Sequence, residues 1–546
     1  MMMDKSKICI GIDLGTTNTS VACSTLDGTV SVTDFGILQT ERGIRRTFDT
    51  LPSILYVKEN GARVVGREAM ELKESSIVSA DSEVRYLENI KRYMGTRQKF
   101  NLDGTVYTPI DVATEVLKYA RDNSNISGLK SDYYTVITVP ANFNTDQRND
   151  TMEAARRAGF KNIELYDEPK AAILSFLHEE SEKKVGKQLD ISEKKRILVI
   201  DIGGGTCDIS VEDVKEKDGQ FVFTHKAVGR ENLGGVDFDN RVGDELARNM
   251  LSGVLLSDAE IAALRDMGQK FKERLSDSIA DFLGNYGGDW EALSDQEDWV
   301  SILEANGIQC SQTREIGGRT VNFEMGVRDF INAINPLIYD MADTPAANRE
   351  ERELNKNMES LIRNTLSDHN IDEDTIDVIF LTGGMAKCLP LKIALHELYG
   401  KPIISPEKPF LAVSRGAALV NKYRSIDENS MDLMPNAVMM EMDDGSLRTL
   451  ISMGATVPTR NRVEDTFKTV SRRGVAIRLF EGKNEFDSQL RKINNLYRIT
   501  FDELKTPGRE FKIAYSVDKT KRITFTITFC DNGDTYNIDG QIREGK

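Results

Sequence analysis

The sequence has no apolar run that approaches the roughly 18 residues of a membrane-spanning helix. Residues 1–7 also lack the apolar core of a secretory signal peptide, so we expect a cytoplasmic protein with no membrane partner. Basic residues are in the minority, with 71 Lys and Arg against 87 Asp and Glu and a net charge of −16. This balance argues against a nucleic acid or an anionic membrane surface as the partner.

Cysteine is also scarce. None of the six cysteines belongs to a C-x-x-C pair and few histidines lie near them, so we expect reduced, buried residues that behave as small apolar side chains. A thiol nucleophile at Cys207 is the alternative, and the lack of a histidine base near it argues against that role. The six are Cys9, Cys23, Cys207, Cys310, Cys388 and Cys530.

The chain is long enough for several domains, because a single core stops growing beyond roughly 250–300 residues and this chain has 546. Strand-like and helix-like runs alternate through residue 424, which predicts an α/β region that includes single strands over residues 8–22 and 196–211. Residues 425–432 are polar and unpatterned, as in a linker. From 433 to 546, short alternating segments between Gly, Asn and Asp turns predict an antiparallel all-β domain.

Two glycine-rich motifs, GIDLGTTN at 11–18 and DIGGGTCD at 201–208, are near copies of each other. Each follows an apolar run and carries an aspartate, Asp13 or Asp201, before glycines and threonines. Glycine lets the main chain approach phosphate oxygens, and successive N–H groups form an anion-binding concavity. One such motif is more often a plain hairpin. Two copies about 190 residues apart instead predict a duplicated fold that holds one nucleoside triphosphate and its magnesium ion.

Both tryptophans, Trp290 and Trp299, lie in a segment rich in glycine and acidic residues at 284–300. The segment has the composition of an insertion on a helical subdomain. Two interpretations stay open: a surface hairpin or loop whose tryptophans pack locally, or a surface that docks a partner.

Together these motifs resemble the DnaK-type, seventy-kilodalton heat-shock chaperone family, in the same order along most of the chain. Further matches are VITVPANFNTDQR at 136–148, DEPKAA at 167–172, LGGVDFD at 233–239 and LTGGMAK at 381–387. The resemblance implies a two-lobed actin-like ATPase domain with a duplicated RNase-H-like core, followed by an all-β sandwich-like domain. It also implies ATP or ADP, Mg²⁺ and an additional K⁺ as ligands.

The implied boundaries divide the chain into an ATPase domain over residues 1–424, a linker over 425–432 and a β substrate-binding-like domain over 433–546. Within the ATPase domain, lobe I covers about 1–195, lobe II about 196–400, and a closing segment runs to 424. The sequence ends soon after the last β-turn, so we expect no helical lid.

The resemblance assigns roles to individual residues. Asp13 and Asp201 would hold Mg²⁺ through its waters, and Lys91 would meet the γ-phosphate and the attacking water. Glu168 would be the carboxylate coupled to hydrolysis. Since the match around Lys91 is short, an ordinary surface lysine is the alternative there. Asp208 and Thr206 complete the implied catalytic set, and the phosphate-cradling backbone is that of Gly15, Thr16, Thr17, Asn18, Gly203, Gly204, Gly205 and Thr206.

The nucleoside is expected to contact a further set of residues. Three of them, Gln269, Lys272 and Ser276, are spaced i, i+3, i+7 and therefore share one face of a helix. Gln269 stands where the family usually has Glu, which puts nucleotide affinity in question. The remaining members of the set are Gly234, Gly235, Gly383, Gly384, Lys387 and Met385, the last at a position where the family usually has Ser.

The resemblance also implies communication between the ATPase domain and the β-domain. Pro140 and Arg148 match the proline and arginine that relay nucleotide state to the neighbouring domain in the family, and a plain turn proline and helix-start arginine are the alternative. The family's apolar, leucine-rich linker is replaced by ENSM at 428–431. An apolar linker would dock by burying its side chains, which contributes about 0.8 kcal/mol per CH₂ group, and this replacement removes most of that contribution. We therefore expect the coupling between the ATPase domain and the β-domain to be weak or to use other contacts.

The implied peptide pocket in the β-domain comprises Met440, Asp443, Phe467 and Val475. Asp443 falls where the family usually places an apolar residue that arches over the peptide. A carboxylate at this position disfavours an apolar peptide unless a basic residue pairs with it.

The leading prediction is an ATP-binding and slowly ATP-hydrolysing chaperone that holds extended client segments. The resemblance also implies a J-domain co-chaperone, a nucleotide-exchange factor and a monomeric state. The alternative is a nucleotide-gated adaptor or regulator that docks a dedicated protein partner and binds few peptides in general. A small-molecule kinase of the same actin-like superfamily is a third interpretation, which the appended β-domain argues against.

Overall fold

The computed structural model describes residues 8–25, 31–78, 84–129, 133–183, 188–251, 253–285, 287, 290–296, 298–316, 318–341, 356–423, 432–469, 474–487, 490–493, 497–500, 508–518 and 521–539. Residues 425–431 of the predicted linker lie outside this set. None of the described helices combines the length and the apolar character that crossing a membrane requires.

The first part of the chain builds a mixed sheet with the strand order β13-β12-β1-β2-β3. Its central strand β1 runs parallel to β12 and antiparallel to β2. All residues of β12, including two threonines, are buried, as expected of a strand that is covered on both faces. The elements are β1 Ile8–Leu14, β2 Asn18–Thr25, β3 Ser31–Asp34, β4 Ile37–Glu41, β5 Ile44–Phe48, β6 Thr50–Pro52, β7 Leu55–Val57, β8 Arg63–Val65, α1 Arg67–Val78, β9 Tyr86–Leu87, β10 Phe100–Leu102, β11 Thr105–Tyr107, α2 Pro109–Asp122, β12 Tyr134–Val139, α3 Thr145–Arg157, β13 Ile163–Asp167 and α4 Glu168–Glu182.

The second part of the chain repeats this arrangement in the order β16-β15-β14-β19-β20. Here β14 is central, antiparallel to β15 and parallel to β19. The elements are β14 Lys195–Ile202, β15 Cys207–Lys217, β16 Gln220–Glu231, α5 Gly235–Met250, α6 Asp258–Asn285, α7 Trp290–Ser294, α8 Trp299–Ala305, β17 Gln309–Ile316, β18 Arg319–Gly326, α9 Val327–Ile338, α10 Met358–Asp368, β19 Val378–Thr382, α11 Leu389–Tyr399, β20 Ile403–Ile404 and α12 Pro409–Leu419.

Each of the two glycine-rich motifs forms the turn of a hairpin at the centre of its sheet. The single strands predicted over 8–22 and 196–211 are wrong, because each is a pair of antiparallel strands, β1 with β2 and β14 with β15. The alternation of apolar and polar residues does not reveal such a tight turn, because the strands on both sides of it are apolar. The α/β class predicted for this part of the chain is confirmed.

Helix α12 links the two sheets. It comes from the far end of the α/β region and packs against β1, β2 and α4. The hydroxyl of Ser20 donates to Ser414 Oγ at 2.9 Å, and Ser24 Oγ donates to the carbonyl of Ala418 at 2.5 Å. One apolar cluster includes Cys9 of the first sheet, Phe380 of the second sheet and Ala412 of α12. The two sheets therefore share part of their core.

Capping residues determine where the helices near the site begin. Helix α3 begins after Asn144, whose side chain accepts from the backbone N–H of Gln147 while the Gln147 side chain accepts from the N–H of Asn144. This capping box satisfies two of the donors that the helix start leaves open. Helix α2 begins in the same way, with Thr108 and Asp111.

Residues 432–539 form a C-terminal β region in which the sheets are antiparallel, as the alternating sequence predicts. Two four-stranded sheets, β23-β22-β27-β28 and β25-β30-β31-β32, contribute to one apolar cluster. The strands are β21 Asp432–Leu433, β22 Ala437–Glu441, β23 Leu447–Ile451, β24 Thr456–Val457, β25 Thr459–Lys468, β26 Gly474–Ile477, β27 Leu479–Gly482, β28 Arg491–Lys492, β29 Tyr497–Thr500, β30 Glu510–Val517, β31 Ile523–Phe529 and β32 Thr535–Asp539.

Candidate nucleotide site

The two glycine-rich turns meet across the space between the sheets. A β-carbon on Gly204 would clash with the side chain of Thr17, so the second turn touches the first. Arg92 donates from Nη2 to the carbonyl of Gly205 and reaches the second turn from the first part of the chain. The structure therefore brings residues 15–18 and 203–206 together, as the duplication implied.

Three further glycines surround the second turn. The backbone N–H of Gly235 donates to the carbonyl of Gly203 at 2.9 Å, and a β-carbon on Gly234 would lie 2.5 Å from the backbone N of Gly205. Gly383 has a φ of +82°, and its β-carbon position lies 2.5 Å from Oδ1 of Asp201. Neighbours at such distances leave no space for a side chain at Gly234 or Gly383, which is why glycine occupies these two positions.

Lys91 and Glu168 form a buried ion pair beside the turns. Nζ of Lys91 lies 2.6 Å from Oε1 of Glu168, and both residues are only 6% exposed. The first is on a short 3₁₀ helix, Ile90–Tyr93, and the second begins α4. Lys91 is therefore not the surface lysine that remained an alternative.

The charges around this pair are dominated by carboxylates. The pKa of Glu168 is raised to about 8, mainly by burial; Lys91 opposes this shift, and the neighbouring Asp13 and Asp201 contribute to it. Burial also raises the pKa of Asp201 to about 7, with Asp208 and Asp13 adding to the effect. Burial lowers the pKa of Lys91, but attraction to Glu168, Asp13 and Asp208 outweighs it and the net direction is upward. The site thus concentrates more negative charge than Lys91 can neutralise.

Asp208 is held by neighbours from both sheets. Thr206 Oγ1 donates to its Oδ2 at 3.1 Å, and Asn142 Nδ2 lies 3.4 Å from its Oδ1. Arg230 Nε approaches Oδ1 at 3.6 Å. A small cavity next to this carboxylate is lined by Glu168, Asp201, Asp208, Asn142 and Pro140 among others. The expected catalytic carboxylates and the expected relay proline therefore line one cavity.

A hydrated divalent cation fits this donor set. Carboxylates whose pKa values are raised by burial and by one another are stabilised in the charged form by a cation. Among the residues that the structure describes, no three His, Cys, Asp or Glu side chains are close enough to hold an ion directly. An ion bound here would keep part of its water shell, which is the usual preference of Mg²⁺.

The expected nucleoside contacts are only partly assembled. Lys272 pairs with Asp239 at 2.6 Å and donates to the carbonyl of Gly235 at 3.3 Å, and Ser276 is buried on the same face of α6. Gln269 is exposed and donates to Glu273 along its own helix at 2.9 Å. Met385 is buried in the apolar core and Gly384 is open to solvent. Lys387 lies over the ring of Phe410.

The two expected relay residues lie where the C-terminal β region contacts the first part of the chain. Arg148 is buried, pairs with Asp167 at 2.7 Å and donates to the carbonyls of Ala141 and Phe143. Lys521, only 3% exposed at the turn between β30 and β31, approaches the same Asp167 at 3.2 Å. Asp167 immediately precedes Glu168. Nothing in the sequence around Lys521 signals this long-range contact.

A second contact joins the same surfaces. Glu481 of β27, 2% exposed, accepts from the backbone N–H of Thr145 at 3.3 Å and from Arg491 at 2.9 Å. Arg491 also approaches Asp146 at 3.8 Å. A carboxylate at the start of α3 interacts favourably with the helix dipole. The C-terminal β region is therefore bound to the segment that carries Pro140 and Arg148.

The expected peptide-pocket residues occupy three different environments. Met440 and Val475 are buried in the core of the β region. Phe467 is partly buried and stacks on Phe511 with a ring separation of 5.7 Å. Asp443 is exposed after β22, and no basic residue among the described part of the chain forms an ion pair with it.

The tryptophan segment is helical in its described part and is not a hairpin. Trp290 begins α7 and Trp299 begins α8, and both rings are partly buried against an apolar cluster. Of the cysteines, five are buried as expected, but Cys530 is exposed. Burial raises the pKa of the Cys207 thiol well above its ordinary value, which disfavours the thiolate that a nucleophile requires.

The sequence is similar to that of known proteins over most of its length. The family model described as Hsp70 protein matches residues 9–282 and 350–520. Three proteins named "Chaperone protein DnaK" are similar over 88% of the chain. Those of Thermosipho melanesiensis and Thermosipho africanus are 28% and 29% identical and matched over 71% of their own length, and that of Thermotoga petrophila is 28% identical and matched over 72%.

Two facing glycine turns beside a buried carboxylate cluster are the features expected of a nucleotide-binding protein. The matched residues cover more than half of the sequence, and the chain belongs to the Hsp70 family. Members of this family are chaperones that generally bind ATP or ADP with Mg²⁺. The family resemblance seen in the sequence is confirmed.

Proposed function

We propose that this chain is an ATP-hydrolysing chaperone whose β region holds extended segments of client proteins. In this proposal the two sheets are the cores of two actin-like lobes within residues 1–424, and residues 433–546 are the substrate-binding domain. The observation that carries the proposal is the buried Lys91–Glu168 pair, which lies among Asp13, Asp201 and Asp208 beside two facing glycine turns. We place the protein in the cytoplasm, with co-chaperones of the family's kinds as partners.

Catalysis at such a site depends on positioning and on charge stabilisation. Lys91 is a fixed positive charge that would stabilise the negative charge developing on the γ-phosphate. Glu168 holds the Lys91 ammonium in place and, through its raised pKa, accepts or retains a proton near neutral pH. Bound Mg²⁺ would neutralise phosphate charge, with Asp13 and Asp201 hydrogen-bonding to its waters. Thr206 orients Asp208 for the same purpose.

Coupling between nucleotide and client would use the contacts of Lys521 and Glu481. The linker residues 428–431 lack the apolar side chains that would dock by burial. Lys521 instead binds the carboxylate next to Glu168, and Glu481 binds the start of α3. These ion pairs support a form of coupling that depends on charge.

The test is single-turnover hydrolysis of ATP by the full chain, with and without a panel of extended apolar peptides. Lys91→Ala should abolish most hydrolysis, and Lys99→Ala, an exposed lysine eight residues along the chain, should leave it unchanged. A chain that ends at residue 424 should hydrolyse ATP but lose any stimulation by peptide.

The outcomes separate the two main functions. If peptides stimulate ATP hydrolysis and this stimulation requires the β region, the result supports the chaperone function. Hydrolysis that depends on Lys91 but ignores both peptide and truncation supports the adaptor, which the exposed Asp443 and the buried Met440 and Val475 would suit. Absence of Lys91-dependent hydrolysis would overturn the proposed ATPase.

A further inference from the structure

Strands β4 and β5 form a separate two-stranded sheet, a hairpin near the start of the chain. Its two-residue turn, residues 42–43, has positive φ at both positions, +49° and +74°, and Glu41 faces Ile44 across the turn. In such a hairpin the two residues that flank the turn exchange both backbone hydrogen bonds. Every second pair along the strands, beginning with Thr40 and Arg45, therefore directs its N–H and C=O groups away from the partner strand.

The two outer edges of this hairpin differ. On the β4 side, the N–H of Leu38 donates to the carbonyl of Asn123 at 2.8 Å, and the carbonyl of Leu38 accepts from the hydroxyl of Tyr119 at 3.2 Å. On the β5 side, the outward groups of Arg45 and Thr47 have no hydrogen-bond partner within the described part of the chain, and both residues are exposed. The outer side of β5 is therefore an open strand edge, of the kind that accepts another strand.

The side chains along this edge are basic. Arg42, Arg45 and Arg46 are exposed, and none of them forms an ion pair with a carboxylate of the described residues. Two nearby carboxylates already have partners, because Glu41 pairs with an arginine of α1 at 2.8 Å and Glu71 accepts from the backbone N–H of Arg42 at 2.7 Å. The three guanidinium charges are therefore uncompensated, in a chain whose net charge is −16.

A second exposed hairpin, formed by β17 and β18, does not share this excess of positive charge. It is also a two-stranded sheet, but its exposed Arg319 is accompanied by the exposed Glu315 and Glu324. Strand β5 contains no acidic residue and begins with Ile44, whose side chain is 53% exposed. The combination of an open edge, uncompensated arginines and an exposed apolar residue thus distinguishes β5.

We propose that β5 binds an extended acidic segment of a partner protein, which adds a strand to this hairpin. The backbone of the segment would bond to the outward groups of Arg45 and Thr47. Because Arg45 and Arg46 lie on opposite faces of the hairpin, two consecutive acidic residues of the segment would each meet one guanidinium. Ile44 would contact an apolar residue next to the acidic pair.

A polypeptide fits this edge better than a nucleic acid does. Phosphate oxygens could meet the arginines, but a phosphodiester backbone has no N–H donors for the outward carbonyls of Arg45 and Thr47. Arginine also differs from lysine, which is the residue that most often protects a strand edge from aggregation. Its planar guanidinium binds a carboxylate through two parallel hydrogen bonds.

The test measures how the full chain binds a fluorescent peptide that contains Thr-Glu-Glu-Val, by fluorescence anisotropy. The control peptide has Gln-Gln in place of Glu-Glu and should bind weakly. Replacing both arginines, Arg45→Gln with Arg46→Gln, should weaken binding of the Glu-Glu peptide about tenfold, and added salt should weaken it as well. Arg319→Gln, which removes an exposed arginine from the other hairpin, should leave binding unchanged.

Two N-methylated forms of the peptide test the backbone pairing. One form is methylated at every odd-numbered amide and the other at every even-numbered amide. In an added strand, successive N–H groups point alternately to the protein and to solvent, so one form should bind and the other should not. Thr47→Pro removes an outward N–H but leaves the hydrogen-bonded pairs of the hairpin in place, and it should weaken binding of the unmethylated peptide.

Absence of saturable binding by the Glu-Glu peptide would overturn the proposal and leave the arginines as charges that protect the edge from aggregation. Equally good binding of both methylated forms would also overturn it, because the backbone would then take no part. So would tighter binding of a single-stranded oligonucleotide at the same arginines. If Thr47→Pro disturbs the fold, the methylated peptides still decide the matter with the unmutated chain. None of the hairpin residues belongs to the expected nucleotide or peptide sites, so the outcome is independent of the proposed ATPase and chaperone activities.

Discussion

Nζ of Lys521, in the C-terminal β region, lies 3.2 Å from Oδ2 of Asp167, the residue immediately before Glu168 in the chain. Arg148 binds the other carboxylate oxygen of Asp167 at 2.7 Å. All three residues are buried. A change in the position of the β region would therefore disturb Asp167, the residue next to Glu168.

We predict that Lys521→Gln releases the β region from the start of α3. Asp167 keeps its ion pair with Arg148 in this variant, so the loss of stability should be smaller than the about 3–5 kcal/mol that a buried charge without any partner costs. Hydrogen exchange at the Thr145 amide, which donates to Glu481, should speed up, and any stimulation of hydrolysis by peptide should fall. The matched control is Lys512→Gln, an exposed lysine on the preceding strand β30. Unchanged exchange at Thr145 in Lys521→Gln would show that this pair does not hold the regions together.

We predict that the stability of the protein without Mg²⁺ and nucleotide falls as the pH rises from 5 to 8. The pKa values of Asp201 and Glu168 are about 7 and about 8 in the folded protein. Both lie above the roughly 4 of an unfolded chain, so folding takes up protons in this window. The contribution is fully present below the unfolded pKa and is lost as the pH passes the folded pKa. The melting temperature should therefore drop across this range, by about 2–4 °C for each kcal/mol of stability that is lost.

Asp201→Asn should flatten this pH dependence, because the amide does not titrate. Mg²⁺ with ADP should protect the unmutated protein more at pH 8 than at pH 6, since a cation favours the charged carboxylates. Melting curves by scanning calorimetry measure both effects. If the melting temperatures of Asp201→Asn and of the unmutated chain change with pH in the same way, Asp201 is not a source of the pH dependence.

We predict that Gly234→Ala weakens nucleotide binding and Gly128→Ala does not. The new β-carbon of Gly234→Ala would lie 2.5 Å from the backbone N and 2.6 Å from the Cα of Gly205, so the second glycine turn must move. Gly128 is exposed, lies outside the expected nucleotide site and has open space at the corresponding position. Titration calorimetry with Mg²⁺ and ADP should give at least a tenfold difference, which corresponds to about 1.4 kcal/mol. Equal affinities would show that the turn is not part of the binding surface.

We predict that Asp443→Leu increases the affinity of the β region for extended apolar peptides. The carboxylate is exposed and would lose hydration without an ion-pair partner if an apolar segment covered it. Burial of a leucine side chain contributes about 1.5–3 kcal/mol, so a tenfold gain in affinity is expected by fluorescence anisotropy. Asp443→Asn separates loss of charge from gain of apolar surface and should give a smaller gain. No gain in either variant would argue that peptides do not bind over this residue.

Much of the fold and of the carboxylate cluster could be predicted from the sequence, because short motifs contain the residues that form them. Asp13 and Asp201 lie in the two repeated glycine turns, and a repeated turn indicates a repeated sheet. Arg92 could have been found as the neighbour of Lys91, and Asp239 as the last residue of the LGGVDFD stretch, although neither was singled out. The contacts of Lys521 and Glu481 could not be predicted, because isolated charged residues in β-strands or turns give no local signal for a partner more than 300 residues away.

The β region shows a different limit of prediction from sequence. Met440 and Val475 are expected in a peptide pocket by position, and both belong to the apolar cluster of the β region, so their contact with a peptide stays a prediction. A motif places a residue along a strand, but which face of the strand is accessible depends on twist and on how the sheets pack. The tryptophan segment was predicted as an insertion, and its helices were missed because glycines and acidic residues mask the helical pattern.

The position of α12 has a consequence for biosynthesis. The hydroxyl of Ser20 bonds to Ser414, 394 residues later, and α12 covers β1, β2 and α4. On the ribosome, this apolar face of the first sheet stays uncovered until Pro409–Leu419 has been translated, which takes about 20–80 s at 5–20 residues per second. Throughout that interval the nascent chain exposes a surface of the kind that chaperones bind, and its own synthesis is a setting in which it would need protection from aggregation.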